Sequence, residues 1–546
     1  MPKLLKYFPW EWLLLSAVSV AVILRIINLE SREFWYDEVL SLLLVTGQKK
    51  LYQNPSDVPI LLANYKSLLS LPIENSFGDV LQTGEKLLKG LVAEPHPPLF
   101  YLGQHLWLRL FGNSVAAMRS LPVVYSIGAI SCSYGLGRHL LGHRGGLLLA
   151  ALLGLNPFYL FHSLNVRMYC SLVFWTVLSG WAILETIKAV TTSQQTKKVV
   201  IWSLILVFSV TAGFMTFYYF LFWVASLGVL VLLLDRKRWL YYGFLLSTGI
   251  LITTPWLLWG TRQQLNNADL NRFAASGGLL ATTWQHLEEM LQTFGNLLLI
   301  GDWANILPPV LITVTGVSAV AIAIGCGYSL VKHNQRQILF VAFIFGILPL
   351  LMMVAVDVIS GKFTVGFGFG RSLIFILPGC LLLIAAWIEK ASGKWQTLAA
   401  VGLLFFYLTV GTADFSLRHR WMFQQIADII EQEPAQTSLI VMNSHAWGHV
   451  LRLAYYLPSD SSVMLLAQPT TKLIPALANT LTTGSQSYSR LLWLKSDRPV
   501  WGKPATTIEK QQIDAVLAPQ FQLVQQQRLL GTWELDHFTA SLYQHR

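Results

Sequence analysis

Charge is what this sequence has least of. Of its 546 residues only 12% are Asp, Glu, Lys or Arg, against about 25% in a soluble globular chain. Lipid-facing helices require that shortage, because a charge at mid-bilayer costs about 2.5–3.5 kcal/mol on insertion scales. Cysteine is also scarce. Cys132, Cys170, Cys326 and Cys380 each fall in an apolar stretch and none forms a CxxC pair, which excludes a disulfide framework and a thiolate metal site. No Asn-x-Ser/Thr sequon occurs, favouring a bacterial chain over one from the secretory pathway. GxGxxG, Walker, HExxH and Ser/His/Asp patterns are missing, so dinucleotide, nucleotide and zinc-protease chemistry have no support. There is no cleavable signal pattern, and the first apolar run, residues 11–29, is long enough to remain as a span.

Hydrophobic residues make up 54% of the chain, with 20 Trp, 19 Tyr and 29 Phe, and mean hydropathy is +0.51. A span needs about 20 apolar residues. About eleven such runs start near Trp12, Met118, Gly145, Met168, Val199, Tyr219, Trp239, Ile306, Gln337, Ser372 and Gln396. The net charge of +11 does not point to nucleic acid, since the cations sit in short loops rather than on one basic face. Lys3 and Lys6, Arg138 and Arg144, Lys197 and Lys198, Arg236 to Arg238, Lys332 and Arg336, and Lys390 and Lys394 occupy every second gap. Those gaps are cytoplasmic by the positive-inside rule. The N-terminus is then inside and, after an odd number of spans, the C-terminus outside. The alternation holds only if residues 97–112, about 24 Å long as a helix, form an interfacial helix on the outer surface.

Two domains are expected. Residues 1–414 form the transmembrane part, with outer loops at about 30–117 and 260–305. Residues 415–546 form an extracytoplasmic domain. There the stretches SLIVMN from Ser438, SVMLLAQ from Ser462 and RLLWLK from Arg490 read as strands. Helix-like segments lie between them, giving a small α/β domain with a partly parallel sheet. The fold class is mainly α: a polytopic transmembrane helical bundle with outer interfacial helices and that domain.

The strongest local signal is REFWYDEVLS, starting at Arg32. Asp37 and Glu38 follow the aromatic pair Trp35-Tyr36 directly after a span. An acidic pair there suits a general base or a divalent-metal ligand set, Mg or Mn. It equally suits a helix start, where carboxylates meet the positive dipole end. The same outer loop ends in EPHPPLFY, in which Glu94 and His96 flank a proline-led helix start. Arg119, Arg167 and Arg371 lie at outer span ends, with Arg25 one to two turns inside the first span. A lone arginine there snorkels to the headgroups. Several on the side that carries Asp37 suit bidentate binding of a lipid phosphate. The glycines of the stretch GKFTVGFGFGRS are a candidate positioning loop for Arg371.

In this order, Arg25, Trp35-Tyr36-Asp37-Glu38, His96-Pro97-Pro98-Leu99, Phe111-Gly112, Arg119, Asn156-Pro157, Arg167-Met168-Tyr169 and the late RSLIFILP from Arg371 resemble the protein O-mannosyltransferase-like glycosyltransferases, family 39 and its bacterial relatives. The resemblance implies a GT-C fold and transfer of a sugar from a polyprenyl-phosphate donor on the non-cytoplasmic side. It implies that Asp37, beside Glu38, is the catalytic acid residue, and that Arg119 and Arg167 hold the donor phosphate. Arg25, Tyr36, Glu94, His96, Tyr169 and Arg371 are the further expected substrate contacts. Mannosyltransferases carry an Asp shortly after the second-loop arginine, where this chain has Tyr169, Cys170 and Ser171. That departure favours a divergent bacterial relative in the inner membrane, with a glycan, lipid or protein as acceptor and membrane lipids as neighbours. Two other classes share the many spans: a transporter or lipid flippase, which tends to show two related halves, and a non-catalytic scaffold presenting its C-terminal domain.

Overall fold

The computed structural model describes residues 10–546 apart from 193–195, 268–273, 275–278, 366–367, 369, 419–420, 435, 459–461, 484–487, 501–502 and 532–533. Lys3 and Lys6, invoked for orientation, and part of the glycine stretch before Arg371 lie outside the described residues. The chain forms two compact units: residues 1–29, 91–103 and 119–416, and residues 30–90, 104–118 and 417–546.

The first unit is helical. Among the described residues eight helices are long and apolar enough to cross a membrane, or ten if each of two bent pairs is one span. The shorter apolar helix Phe220–Leu234 falls at the remaining one of the eleven expected runs. The bend between His143–Leu155 and Pro157–Ser163 is 63°, and its cause is local. Pro157 cannot continue the preceding ladder but suits the first position of a new helix. Asn156 caps that helix by accepting from the Tyr159 N–H at 2.9 Å. Its amide also donates to the Leu297 carbonyl at 2.8 Å, fixing the break. The helix ends at Ser163 and leads into the turn that carries Arg167. The outer segment expected at 260–305, read as a loop with short helices, is helical to Asn267 and again over Leu279–Gly295.

The second unit is built on a six-stranded sheet in the order β1-β3-β2-β4-β6-β5. The strands are β1 Ile60–Leu61, β2 Ser438–Met442, β3 Met464–Ala467, β4 Arg490–Ser496, β5 Phe521–Leu530 and β6 His537–His545. β2 runs parallel to β3 and β4, and the other pairings are antiparallel. Every residue of β2 is buried, as a central strand covered on both faces requires. Leu439, Val441, Leu466, Leu473, Leu477 and Trp493 belong to its core. The expected partly parallel α/β sheet is therefore present, with its three expected strands at its centre. The division at residue 414/415 is not that of the fold. The outer loop supplies β1, which pairs with β3, and the Leu62 N–H donates to the Val463 carbonyl at 3.0 Å; Leu62, Tyr65 and Leu69 are buried. Leu99–Phe111 is a 13-residue helix, about 20 Å long, and is not among the candidate spans.

Candidate active site

The acidic pair divides its work. Helix Tyr36–Val45 begins on Trp35, whose backbone N–H donates to the Glu38 carboxylate at 2.8 Å. Glu38 is fully buried and closes the first turn as a capping-box glutamate does. Asp37, one residue earlier, is half-buried. The helix-start reading thus describes Glu38. Of the pair expected as a Mg or Mn ligand set, Glu38 Oε2 accepts from the N-terminus of its own helix. Among the described residues no group of three or more His, Cys, Asp or Glu side chains is placed to hold a metal.

In the first unit His96 and Arg167 come together. The Arg167 guanidinium, 5% exposed, donates to His96 Nε2 at 2.9 Å and to the Tyr101 hydroxyl at 3.2 Å. His96 is held in turn: its carbonyl accepts from Gln264 at 2.8 Å and its ring stacks on Phe217. Glu94 is half-buried in the same turn, its N–H bonded to the Leu91 carbonyl. Tyr169 is buried with its ring against His162. Arg119 is fully buried and donates to the Leu29 carbonyl at 3.0 Å, where the first span ends. Arg371 is 7% exposed and follows Gly370, whose φ of 85° is left-handed. A Cβ on Gly368 would collide with the Arg371 side chain, so glycine there is a steric requirement. Asp357 anchors the preceding loop by accepting from the Thr364 N–H at 2.7 Å and the Val365 N–H at 3.0 Å.

Two expected substrate contacts, Arg25 and Tyr36, are engaged by neighbouring side chains and backbone. Arg25 neither snorkels nor lines an open site. It is fully buried and donates to Ser126 Oγ at 2.7 Å and to the carbonyls of Ala21 and Gly154 at 2.7 and 2.8 Å. These bonds tie its helix to Val115–Leu141 and His143–Leu155. Tyr36 packs against Trp447 and edge-on to His449, and burial pushes its phenol pKa up.

Beside Tyr36 lies a buried charge cluster that no sequence motif announces. Arg452 forks onto Asp536, with Nη1 to Oδ2 at 2.9 Å and Nη2 to Oδ1. His449 Nε2 lies 3.5 Å from the same carboxylate. Arg452 holds Asp536 well below the usual carboxylate range, against the opposing effect of burial. Glu33, also fully buried, accepts from the Phe423 N–H at 2.7 Å. Burial, aided by Asp536 and opposed by Arg452, raises its pKa from 4.5 to about 8. The folded state then binds the Glu33 proton more tightly than the unfolded chain, so its contribution to stability is complete below about pH 4.5 and is lost as pH rises through about 8. Asp536 acts in the opposite sense, but only at pH values below its ordinary 3.8. His449, His445 and His537, lowered by burial, act in the opposite sense below their ordinary 6.5, so thermal melting of the whole protein in nanodiscs should fall between about pH 6.5 and 9, by the equivalent of about 2 kcal/mol. Glu33→Gln should flatten that slope. An unchanged slope in the variant would assign it to other groups.

The sequence pattern of the dolichyl-phosphate-mannose-protein mannosyltransferases matches residues 95–259. No curated protein matches the chain. Among solved structures, the Archaeoglobus fulgidus oligosaccharyltransferase in complex with Zn and sulfate is similar at TM-score 0.49 and 11% identity, covering 88% of this chain and 67% of that one. ArnT from Cupriavidus metallidurans bound to undecaprenyl phosphate gives 0.42 and 12%, covering 97% and 98%. AglB from Archaeoglobus fulgidus, with an inhibitory peptide and a dolichol-phosphate, gives 0.45 and 10%, covering 88% and 69%. The segment that holds His96, Arg119, Arg167 and Tyr169 therefore carries the sequence pattern of the dolichyl-phosphate-mannose-protein mannosyltransferase family, and the resemblance read from the motifs stands.

Proposed function

We propose that the chain moves a sugar from a polyprenyl-phosphate donor to a hydroxyl acceptor on the non-cytoplasmic face of the inner membrane. The supporting observation is Arg167. It is a buried guanidinium fixed against His96 and Tyr101, inside a segment whose matching family is named for a dolichyl-phosphate sugar. In this reading Arg167, Arg119 and Arg371 stabilise the lipid phosphate as it takes up negative charge on leaving. Asp37 removes the acceptor proton. The bond from the anomeric carbon to the phosphate oxygen breaks as the bond to the acceptor oxygen forms, so one displacement inverts the anomeric centre. The proton ends on Asp37 and the polyprenyl phosphate departs. The alternation of basic loops, including Arg138 with Arg144 and Arg236 to Arg238, supports the orientation, with the N-terminus cytoplasmic and the C-terminal residues outside.

The test uses protein in nanodiscs with a panel of polyprenyl-phosphate hexoses and pentoses and an extract of envelope glycans, lipids and proteins as acceptors. One donor should lose its sugar and release polyprenyl phosphate only when acceptor is present. A panel in which every donor stays intact, with polyprenyl phosphate failing to bind, would reject the reading.

A further inference from the structure

The residues leading into Asp37 are held by two helices far along the chain, Met422–Glu431 and Trp447–Tyr456. From the first, the backbone N–H of Phe423 reaches the Glu33 carboxylate at 2.7 Å. From the second, the Tyr456 hydroxyl accepts from the Phe34 N–H at 2.7 Å. Arg452 joins the two. Its guanidinium lies 4.4 Å over the Phe423 ring and 5.6 Å from the centre of the Tyr36 ring. It donates to the Gly448 carbonyl at 3.0 Å and forks onto Asp536. Gly448 supplies the closest approach: a Cβ built there would sit 2.5 Å from the Tyr36 ring, closer than side chains tolerate. The backbone of Glu33 to Tyr36 is therefore gripped on both sides. Asp37 follows directly, on the first turn of a helix whose start is fixed by that grip.

We propose that Arg452, with Gly448 and Glu33, positions the Asp37 carboxylate, so that the C-terminal sheet domain is a working part of the catalytic apparatus. This rests on Asp37 being the base. A buried Arg–Asp pair is weak evidence of net stabilisation, since desolvation offsets its attraction. What the pair supplies here is geometry, because the planar fork fixes Arg452 in one orientation.

Gly448→Ala tests this without changing a charge. In nanodiscs, with the donor that turns over, kcat should fall at least about tenfold, because a small misplacement of a reacting group is costly. Binding of polyprenyl phosphate alone should stay within twofold. In an Asp37→Asn background the same substitution should cause no further loss, because the group it acts through is already gone. Carbodiimide labelling of Asp37, read by mass spectrometry against exposed Asp514, should change severalfold whether or not a donor is found. Wild-type kcat together with unchanged labelling would overturn the positioning role, as would an equal fractional loss in the Asp37→Asn background. Retained turnover in Asp37→Asn alone would instead remove the assignment of the base, while the labelling still reports the grip. If Gly448→Ala does not fold, Tyr456→Phe, which removes only the hydroxyl that accepts from the Phe34 N–H, carries the same measurements.

Discussion

Asp37→Asn is expected to cut transfer about 10²–10⁴-fold, to a residual rate that single-turnover assays still read, while leaving a well-folded protein that still binds polyprenyl phosphate. The substitution keeps the shape of a half-buried side chain and removes only its charge. A general base contributes about 10²–10⁴-fold in rate, so single-turnover transfer should drop by that factor. The helix itself should survive, because the cap on Trp35 is supplied by Glu38. Loss of the Asp37 charge near the helix N-terminus costs about 0.3–1 kcal/mol. The measurements are single-turnover transfer and polyprenyl-phosphate binding in nanodiscs, with melting as the control. Near-normal transfer by a folded Asp37→Asn protein would remove the base from the mechanism.

Arg167→Ala should fail differently. Its proposed partner, the lipid phosphate, is charged both before and during the reaction, so donor binding and turnover should weaken together. Charge-assisted hydrogen bonds are worth about 1.5–3 kcal/mol each, which converts to about 10–100-fold in affinity. Arg167→Lys should recover part of the affinity, because a point charge replaces the fork. The control is His96→Ala, which removes an acceptor of Arg167 and should reproduce a smaller share of the same defect. Unchanged affinity for polyprenyl phosphate in Arg167→Ala would mean that the arginine serves only its contacts to His96 and Tyr101.

The parts of the fold that repeat locally were legible in the sequence. Each apolar run corresponds to a helix, and SLIVM reads as a buried strand because every one of its side chains is covered. The break at Asn156-Pro157 was visible as a motif, although its bend was not. What could not be read were contacts between distant residues. Glu33, Arg452 and Asp536 carry no shared motif, and their proximity is a property of the folded chain alone. Strand β1 has only two residues, too few for any periodicity. β5 is exposed along most of its length as the outermost strand, so FQLVQQQRLL lacks the alternation of a half-buried strand. Arg25 misled for a different reason: an arginine near a span end resembles a phosphate ligand or a snorkelling side chain, whereas here backbone carbonyls and Ser126 receive it.

The pairing of Phe34 with Tyr456 joins residues 422 positions apart, and β1 adds to β3 across a similar interval. Such contacts impose an order on biogenesis. The ribosome delivers the outer loop long before the helices and strands that will enclose it, and contacts this remote form slowly. Until then Leu62, Tyr65 and Leu69 lack the cover that buries them in the finished protein, and the turn carrying Asp37 lacks its grip. A chain that stops before β6, which lies between β4 and β5 in the sheet, has its long apolar helices but no finished sheet.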